Sequence, residues 1–292
     1  MRINIWLHMP DTVWEVGQLE QGPFQIAVVQ AGFACGEADH NLDKMKKIIH
    51  SCREQHRDME LILFPELSAT GYNPSLAIRQ LAEMQTGPIF QVMAESARSH
   101  NVHVGYGYVE LGEGGRVFNS IILIGPDGQL LANYRKMHLT VWEQGIFDPG
   151  RDFVTVDTKL GRIGLMICWD LAFPEMARVL AVNGAELLLA PSAWEKPYDL
   201  PYRRFSMARA IDNTVFLATC NQVGVAGNLD FFGLSGIYGP DGDMLASAGA
   251  DIEDVIVANI DPGRRLDLQK SFFSMMLERR TELYALKVEM EV

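Results

Sequence analysis

The chain reads as one α/β domain of mixed β-sheets with helices outside them. Three observations predict this. Strand-like and helix-like periodicities alternate near both ends, with hairpins between. The segments LILF, LLLA and VFLA are continuous apolar runs, as parallel strands buried on both faces require. No Pro/Gly/Ser-rich linker divides the 292 residues, a length ample for a sizeable core.

The first strand is FQIAVVQ (24–30), after which Leu42, Met45, Ile48 and Ile49 fall on one face of a helix over 41–55. LILFPE (61–66) reads as an apolar strand ending in a carboxylate, followed by helical patterns around 75–84 and 89–99. Strands are expected over 102–111 and 119–134, and FVTVDTKLGRIGLMIC (153–168) reads as two strands joined by a Lys-Leu-Gly turn. A helix over 174–182, a buried strand over 185–191, a helix over 203–211 and a strand over 214–224 come next. GLSGIYGPDGDMLASAG and DVIVANID close the pattern. The strand–GPDG–strand unit occurs twice, and Pro then Asp-Gly makes each a tight hairpin. Two copies of so common a turn read as independent hairpins.

Hydrophobic residues make up 48% of the chain and charged ones 21%, which excludes disordered and fibrous classes. A net charge of −12 leaves no basic surplus for nucleic acid or an anionic membrane. Cys35, Cys52, Cys168 and Cys220 form neither a disulfide scaffold nor a CxxC metal set, so they read as reduced thiols of a cytoplasmic protein. No run approaches the roughly 18 apolar residues of a membrane span, and the N-terminus lacks the apolar core of a signal peptide. Residues 1–22 are expected to be an extension outside the core, with 23–292 the single domain.

Three polar residues stand where strand patterns end: Glu66 after LILFP, Lys136 after LLANYR, and Cys168 after IGLMI. Rigid sheets in α/β folds aim catalytic groups from such positions. Each also has an ordinary structural explanation: a buried inert thiol, a turn carboxylate, a solvated lysine. Together they compose a chemistry. A thiol nucleophile needs a base and a nearby cation. A carboxylate serves as that base if burial raises its pKa, and an ammonium balances charge and stabilises an oxyanion. The backbone N–H of Trp169, directly after the cysteine, is a second oxyanion donor. His138 lies two residues from Lys136 and would share its face on a strand, but a structural role suits it better. No HxH, HExxH or CxxC spacing points to a metal.

The blocks FPELSATGY, YRKMHL, EQGIFDPG and ICWDLAFPE, in that order, resemble the signatures of the nitrilase superfamily of carbon–nitrogen hydrolases. The resemblance runs from about Phe24 to about Tyr284. It implies a four-layer α-β-β-α sandwich, dimers or larger assemblies, and no metal or organic cofactor. It implies that Glu66 is the general base, Lys136 the catalytic lysine, Cys168 the nucleophile, Glu143 a second glutamate supporting the lysine, and Tyr72 a pocket residue.

True nitrilases of that superfamily usually have Cys-Trp-Glu at the nucleophile, whereas this chain has Cys168-Trp169-Asp170, closer to the amidase and carbamoyl-hydrolase branches. The expected substrate is a small amide. A ureido compound, as for an N-carbamoyl amidohydrolase, is the alternative; a nitrilase or a non-catalytic binding member follows. Trp194, Glu195 and Tyr198 in SAWEKPYDL are candidate substrate contacts, and Arg203 and Arg204 are candidates to meet a substrate carboxylate.

Overall fold

The computed structural model describes residues 22–283; the extension expected at 1–22 therefore lies, but for Gly22, outside the described residues. The elements run β1 (Phe24–Gln30), α1 (Ala38–Gln55), β2 (Met59–Leu63), α2 (Pro88–His100), β3 (His103–Leu111), β4 (Val117–Ile124) and β5 (Leu130–Arg135). They continue β6 (Val154–Thr158), β7 (Gly161–Leu165), α3 (Pro174–Val182), β8 (Leu187–Ser192), α4 (Asp199–Ile211) and β9 (Phe216–Asn221). The last are β10 (Val223–Ala226), β11 (Leu229–Phe232), β12 (Gly236–Tyr238), β13 (Met244–Ser247), β14 (Asp254–Ile260), α5 (Pro262–Gln269) and α6 (Met275–Glu278).

Two mixed six-stranded sheets form an α/β sandwich, in the orders β14-β1-β2-β3-β4-β5 and β13-β12-β9-β8-β7-β6. The period of two along each strand assigns the layers. Ile26 and Val28 of β1, Leu61 and Leu63 of β2, and Ile121 and Leu123 of β4 point into the core shared with the second sheet. Their neighbours Ala27, Val29, Ile62, Ile122 and Ile124 point the other way, onto Leu42, Met45 and Ile49 of α1 and Met93 and Ala97 of α2. Met176, Ala177 and Leu180 of α3 and Tyr202 and Ala210 of α4 belong to the shared core on the second sheet's side. The Cys220 thiol of β9 donates to the carbonyls of Val29 (3.0 Å) and Leu63 (3.2 Å), which joins the sheets.

Within each sheet three neighbouring strands run parallel, with α1 and α2 or α3 and α4 as crossovers. Each then continues into an antiparallel GPDG hairpin, β4–β5 or β12–β13. The two hairpins therefore occupy equivalent places in the two sheets.

The structure corrects several expectations. The strand over 61–66 stops at Leu63: Phe64 N–H makes the last bond to β3, at the Gly105 carbonyl (2.8 Å), and Pro65 has no N–H to continue the ladder. The expected helix over 75–84 is a short 3₁₀ segment, Leu76–Leu81. The strand over 214–224 breaks after Asn221, where Gln222 N–H bonds the Ser192 carbonyl (3.1 Å) and the chain leaves the sheet for the β10–β11 hairpin.

Candidate active site

Glu66 lies three residues beyond β2, in a turn pressed against β3. Gly107 allows this approach, because a Cβ there would sit 2.2 Å from Leu67 N and 2.9 Å from the Glu66 carbonyl carbon. Leu67 takes a left-handed conformation (φ 50°), and Gln222 Nε2 donates to the Glu66 carbonyl (2.8 Å). The Glu66 side chain is thus held rigidly, and it is fully buried.

Lys136 follows β5 directly and is 1% exposed. Its backbone is pinned on both sides, N–H to the Asn119 carbonyl and carbonyl to Gly150 N–H, each at 2.8 Å. Its Nζ donates to Glu66 Oε1 (2.8 Å) and to both oxygens of Glu143 (2.9 and 2.8 Å). Asn119 Nδ2 spans the same two carboxylates, at 2.7 Å from Glu66 Oε1 and 2.9 Å from Glu143 Oε1. Thr140 N–H completes the cage on Glu143 Oε2 (2.9 Å). Sequence reasoning missed Asn119. The signal was present: it shares parity with Ile121 and Leu123, so an amide stands on a face otherwise committed to the apolar core.

Cys168 opens the 3₁₀ turn Cys168–Ala172 just past β7, at φ 48°, a left-handed conformation that costs a non-glycine residue strain. Asp170 holds this turn. Its Oδ2 accepts from Ile167 N–H (2.8 Å) and Tyr134 Oη (2.7 Å), and its Oδ1 from His138 N–H (3.1 Å) and His138 Nδ1 (2.8 Å). One carboxylate therefore ties the cysteine turn of the second sheet to the lysine loop of the first. His138 is part of that tie and stacks on Phe173, ring centroids 3.8 Å apart. The strand alternation that would have put it beside Lys136 ends at Arg135.

Burial pushes the Glu66 carboxyl up, against the pull of Lys136 and with the help of Glu143's charge. Glu143 resists its own burial: the Lys136 charge and hydrogen bonds from Lys136, Thr140 and Asn119 hold it below the usual carboxylate range. Burial would lower Lys136, but Glu143 and Glu66 outweigh it and keep the ammonium charged. The Cys168 thiol is raised, first by burial and then by Glu66's charge, with Lys136 and a backbone hydrogen bond at Ala193 only partly offsetting. The nearby lysine does not produce a preformed thiolate. What the thiol has instead is a buried carboxylate within electrostatic reach, Glu66, whose Oε2 has no hydrogen-bond partner among the described residues.

Tyr72 is buried edge-to-face on Phe231 (5.9 Å, 90°), within electrostatic reach of Glu143, Glu66 and Cys168. Trp169 and Trp194 pack on one another (5.4 Å), and Trp194 also meets Tyr202 and Phe205. Asn221 latches the Trp194 backbone from both sides, accepting from N–H (2.7 Å) and donating to the carbonyl (3.1 Å). Arg203 and Arg204 are exposed on α4. Among the described residues no group of three or more His, Cys, Asp or Glu could hold a metal, and no helix is long and apolar enough to cross a membrane.

A rigid carboxylate–lysine–carboxylate cage beside a thiol in a strained turn is suited to acyl transfer through sulfur. The chain belongs to the carbon–nitrogen hydrolase family, whose profile matches residues 25–267. It is 38% identical over 262 residues to a probable nitrilase of Schizosaccharomyces pombe, covering 89% of this chain and 96% of that one. It is 33% identical to an (R)-stereoselective amidase of Pseudomonas sp., covering 89% and 92%. A mutant of the amidase from Nesterenkonia sp. AN1, solved with the acetamide moiety of fluoroacetamide added covalently at its active-site cysteine, superposes with TM-score 0.79. That amidase is 27% identical to this chain, with 90% of this chain and 96% of that one covered.

Proposed function

We propose that this protein is an amidase that hydrolyses the C–N bond of a small-molecule amide through a Cys168 thioester. The observation that carries the reading is the Cys168 thiol within electrostatic reach of a rigid, buried Glu66, whose Oε1 is held by Lys136 while its Oε2 has no hydrogen-bond partner among the described residues.

Glu66 takes the Sγ proton as sulfur bonds to the carbonyl carbon. The oxyanion that forms is stabilised by Lys136 Nζ and the Trp169 N–H. Glu66 returns its proton to the amide nitrogen, the C–N bond breaks and ammonia leaves a thioester. Glu66 then draws a proton from water as it attacks; the C–S bond breaks, the thiolate recovers that proton, and the carboxylic acid departs. Glu143 and Asn119 keep Lys136 and Glu66 in place throughout. Asp170 in place of glutamate after Cys168-Trp169, and the amidases among the relatives, support an amide over a nitrile.

The test is a panel of aliphatic, aromatic and amino-acid amides, ureido compounds and nitriles, scored for ammonia and carbon dioxide. Ammonia with a carboxylic acid from amides, absent in Cys168→Ala, is the expected result. Carbon dioxide with ammonia from ureido compounds would make it an N-carbamoyl amidohydrolase, and turnover of nitriles alone a nitrilase. No turnover, with iodoacetamide labelling Cys168 no faster than Cys35, Cys52 or Cys220, would point to a binding member of the fold.

A further inference from the structure

The segment after β8 carries a carboxylate that the reaction does not use. Glu195 follows Trp194, and its backbone is set in place: it forms an isolated antiparallel bridge with Phe231, its carbonyl accepts from Tyr198 N–H (3.0 Å), and the next residue's N–H bonds the Asp230 carbonyl (2.9 Å). Phe231 is the ring on which Tyr72 rests. Glu195 is half-buried, and its carboxyl is within electrostatic reach of Lys136, Glu143 and Tyr72. It therefore flanks the same space as the catalytic cage.

Among the described residues this carboxylate has no cationic partner of its own. The adjacent Lys196 is turned to Asp230 (3.1 Å) and Asp251 (2.8 Å). Lys136 is engaged by Glu66 and Glu143. Three carboxylates thus face one ammonium, and even with a proton on Glu66 the space stays negative. Burial, with a smaller contribution from Glu143's charge, accordingly pushes Glu195 up, against its own backbone hydrogen bond and Lys136. Phe231, the bridge partner of Glu195, Tyr72, with which Glu195 interacts electrostatically, and Trp194, its chain neighbour, carry rings that attract a cation.

Resting on the amidase reading, we infer that Glu195 is the specificity residue of the site and selects amides whose acyl chain ends in an ammonium group. A cation there balances the unpaired carboxylate, while a substrate carboxylate meets repulsion. The site is thereby set against acidic amides.

The experiment compares three primary amides of equal chain length: δ-aminovaleramide, hexanamide and the monoamide of adipic acid. Ammonia release is expected to give kcat/KM in the order ammonium, neutral, carboxylate, with steps of about tenfold. Glu195→Gln should flatten the series, with the largest loss on the ammonium compound. Calorimetric titration of the same compounds into Cys168→Ala, with and without Glu195→Gln, reads recognition without chemistry. Equal affinities across the series, or a preference unchanged by Glu195→Gln, would overturn the inference. So would an equal loss on all three, which would place Glu195 on the reacting amide itself. Preferential binding of the ammonium compound without ammonia release from any would overturn amide hydrolysis and leave Glu195's role standing.

Discussion

The two sheets share a pattern of strand directions yet contribute different chemistry. In each, three parallel strands lead into an antiparallel pair and an edge strand runs antiparallel on the other side. The first sheet's rim carries fixed charge: Glu66 beyond β2, Lys136 beyond β5, and Asn119 on β4 between them. The second sheet's rim carries a neutral thiol in a strained turn, reached from β7, and an aromatic wall reached from β8. On the proposed reading, one pattern of strands used twice separates what must be electrostatically rigid from what must react, and the reacting groups come together only where the two rims meet.

The largest effects should come from breaking each rim in turn, and they should differ in kind. Lys136→Met leaves two buried carboxylates without their cation and is expected to cost about 3–5 kcal/mol of stability in denaturant unfolding, along with activity. Cys168→Ala is expected to lower turnover by at least about 10⁴-fold, with unfolding free energy within about 1 kcal/mol of wild type. Equal stability losses in the two variants would refute the division.

The tie between the rims comes next. Asp170→Asn substitutes one amide donor for a carboxylate oxygen facing Ile167 N–H, Tyr134 Oη or His138. A loss of about 1–3 kcal/mol is expected, with slower alkylation of Cys168. Unchanged alkylation would show that the turn holds its shape without this clamp.

The pH profile follows from the raised Glu66. The base must be ionised, so kcat/KM should fall as pH drops through the raised pKa of Glu66, above the ordinary 4.3 or so of a glutamate. An acid limb at or below that ordinary value would remove Glu66 as the base.

The smallest effect compares the hairpins. Gly128 and Gly242 both sit at positive φ (80° and 83°), so alanine should cost about 1 kcal/mol at either. A Cβ at Gly128 also lies 2.9 Å from the Ala94 carbonyl oxygen, whereas at Gly242 the nearest atom is 3.4 Å away. Gly128→Ala should therefore melt lower than Gly242→Ala.

Much of this fold was legible because periodicity reports burial directly. The helix at Pro174–Val182 and the strand at Phe24–Gln30 have the expected bounds. The β10–β11 hairpin was not, since the apolar run continues through Val223 although Gln222 makes the last bond of the β8–β9 ladder, to Ser192, and Val223 already pairs with Phe232. Glu66, Lys136 and Cys168 stood out at strand ends, and the structure brings them together. Glu143 lies in a turn with no periodic signal and was named only through family resemblance. The shared hairpins looked incidental because a turn motif says nothing about the order of strands around it.

The depth of the thiol bears on company rather than chemistry. Cys168 is 5% exposed, and Glu66 and Lys136 are all but sealed from solvent. A polypeptide backbone threaded past this point would have to part the two sheets. On the amidase reading, a centre so enclosed is matched to small amides rather than to the backbone of a folded protein.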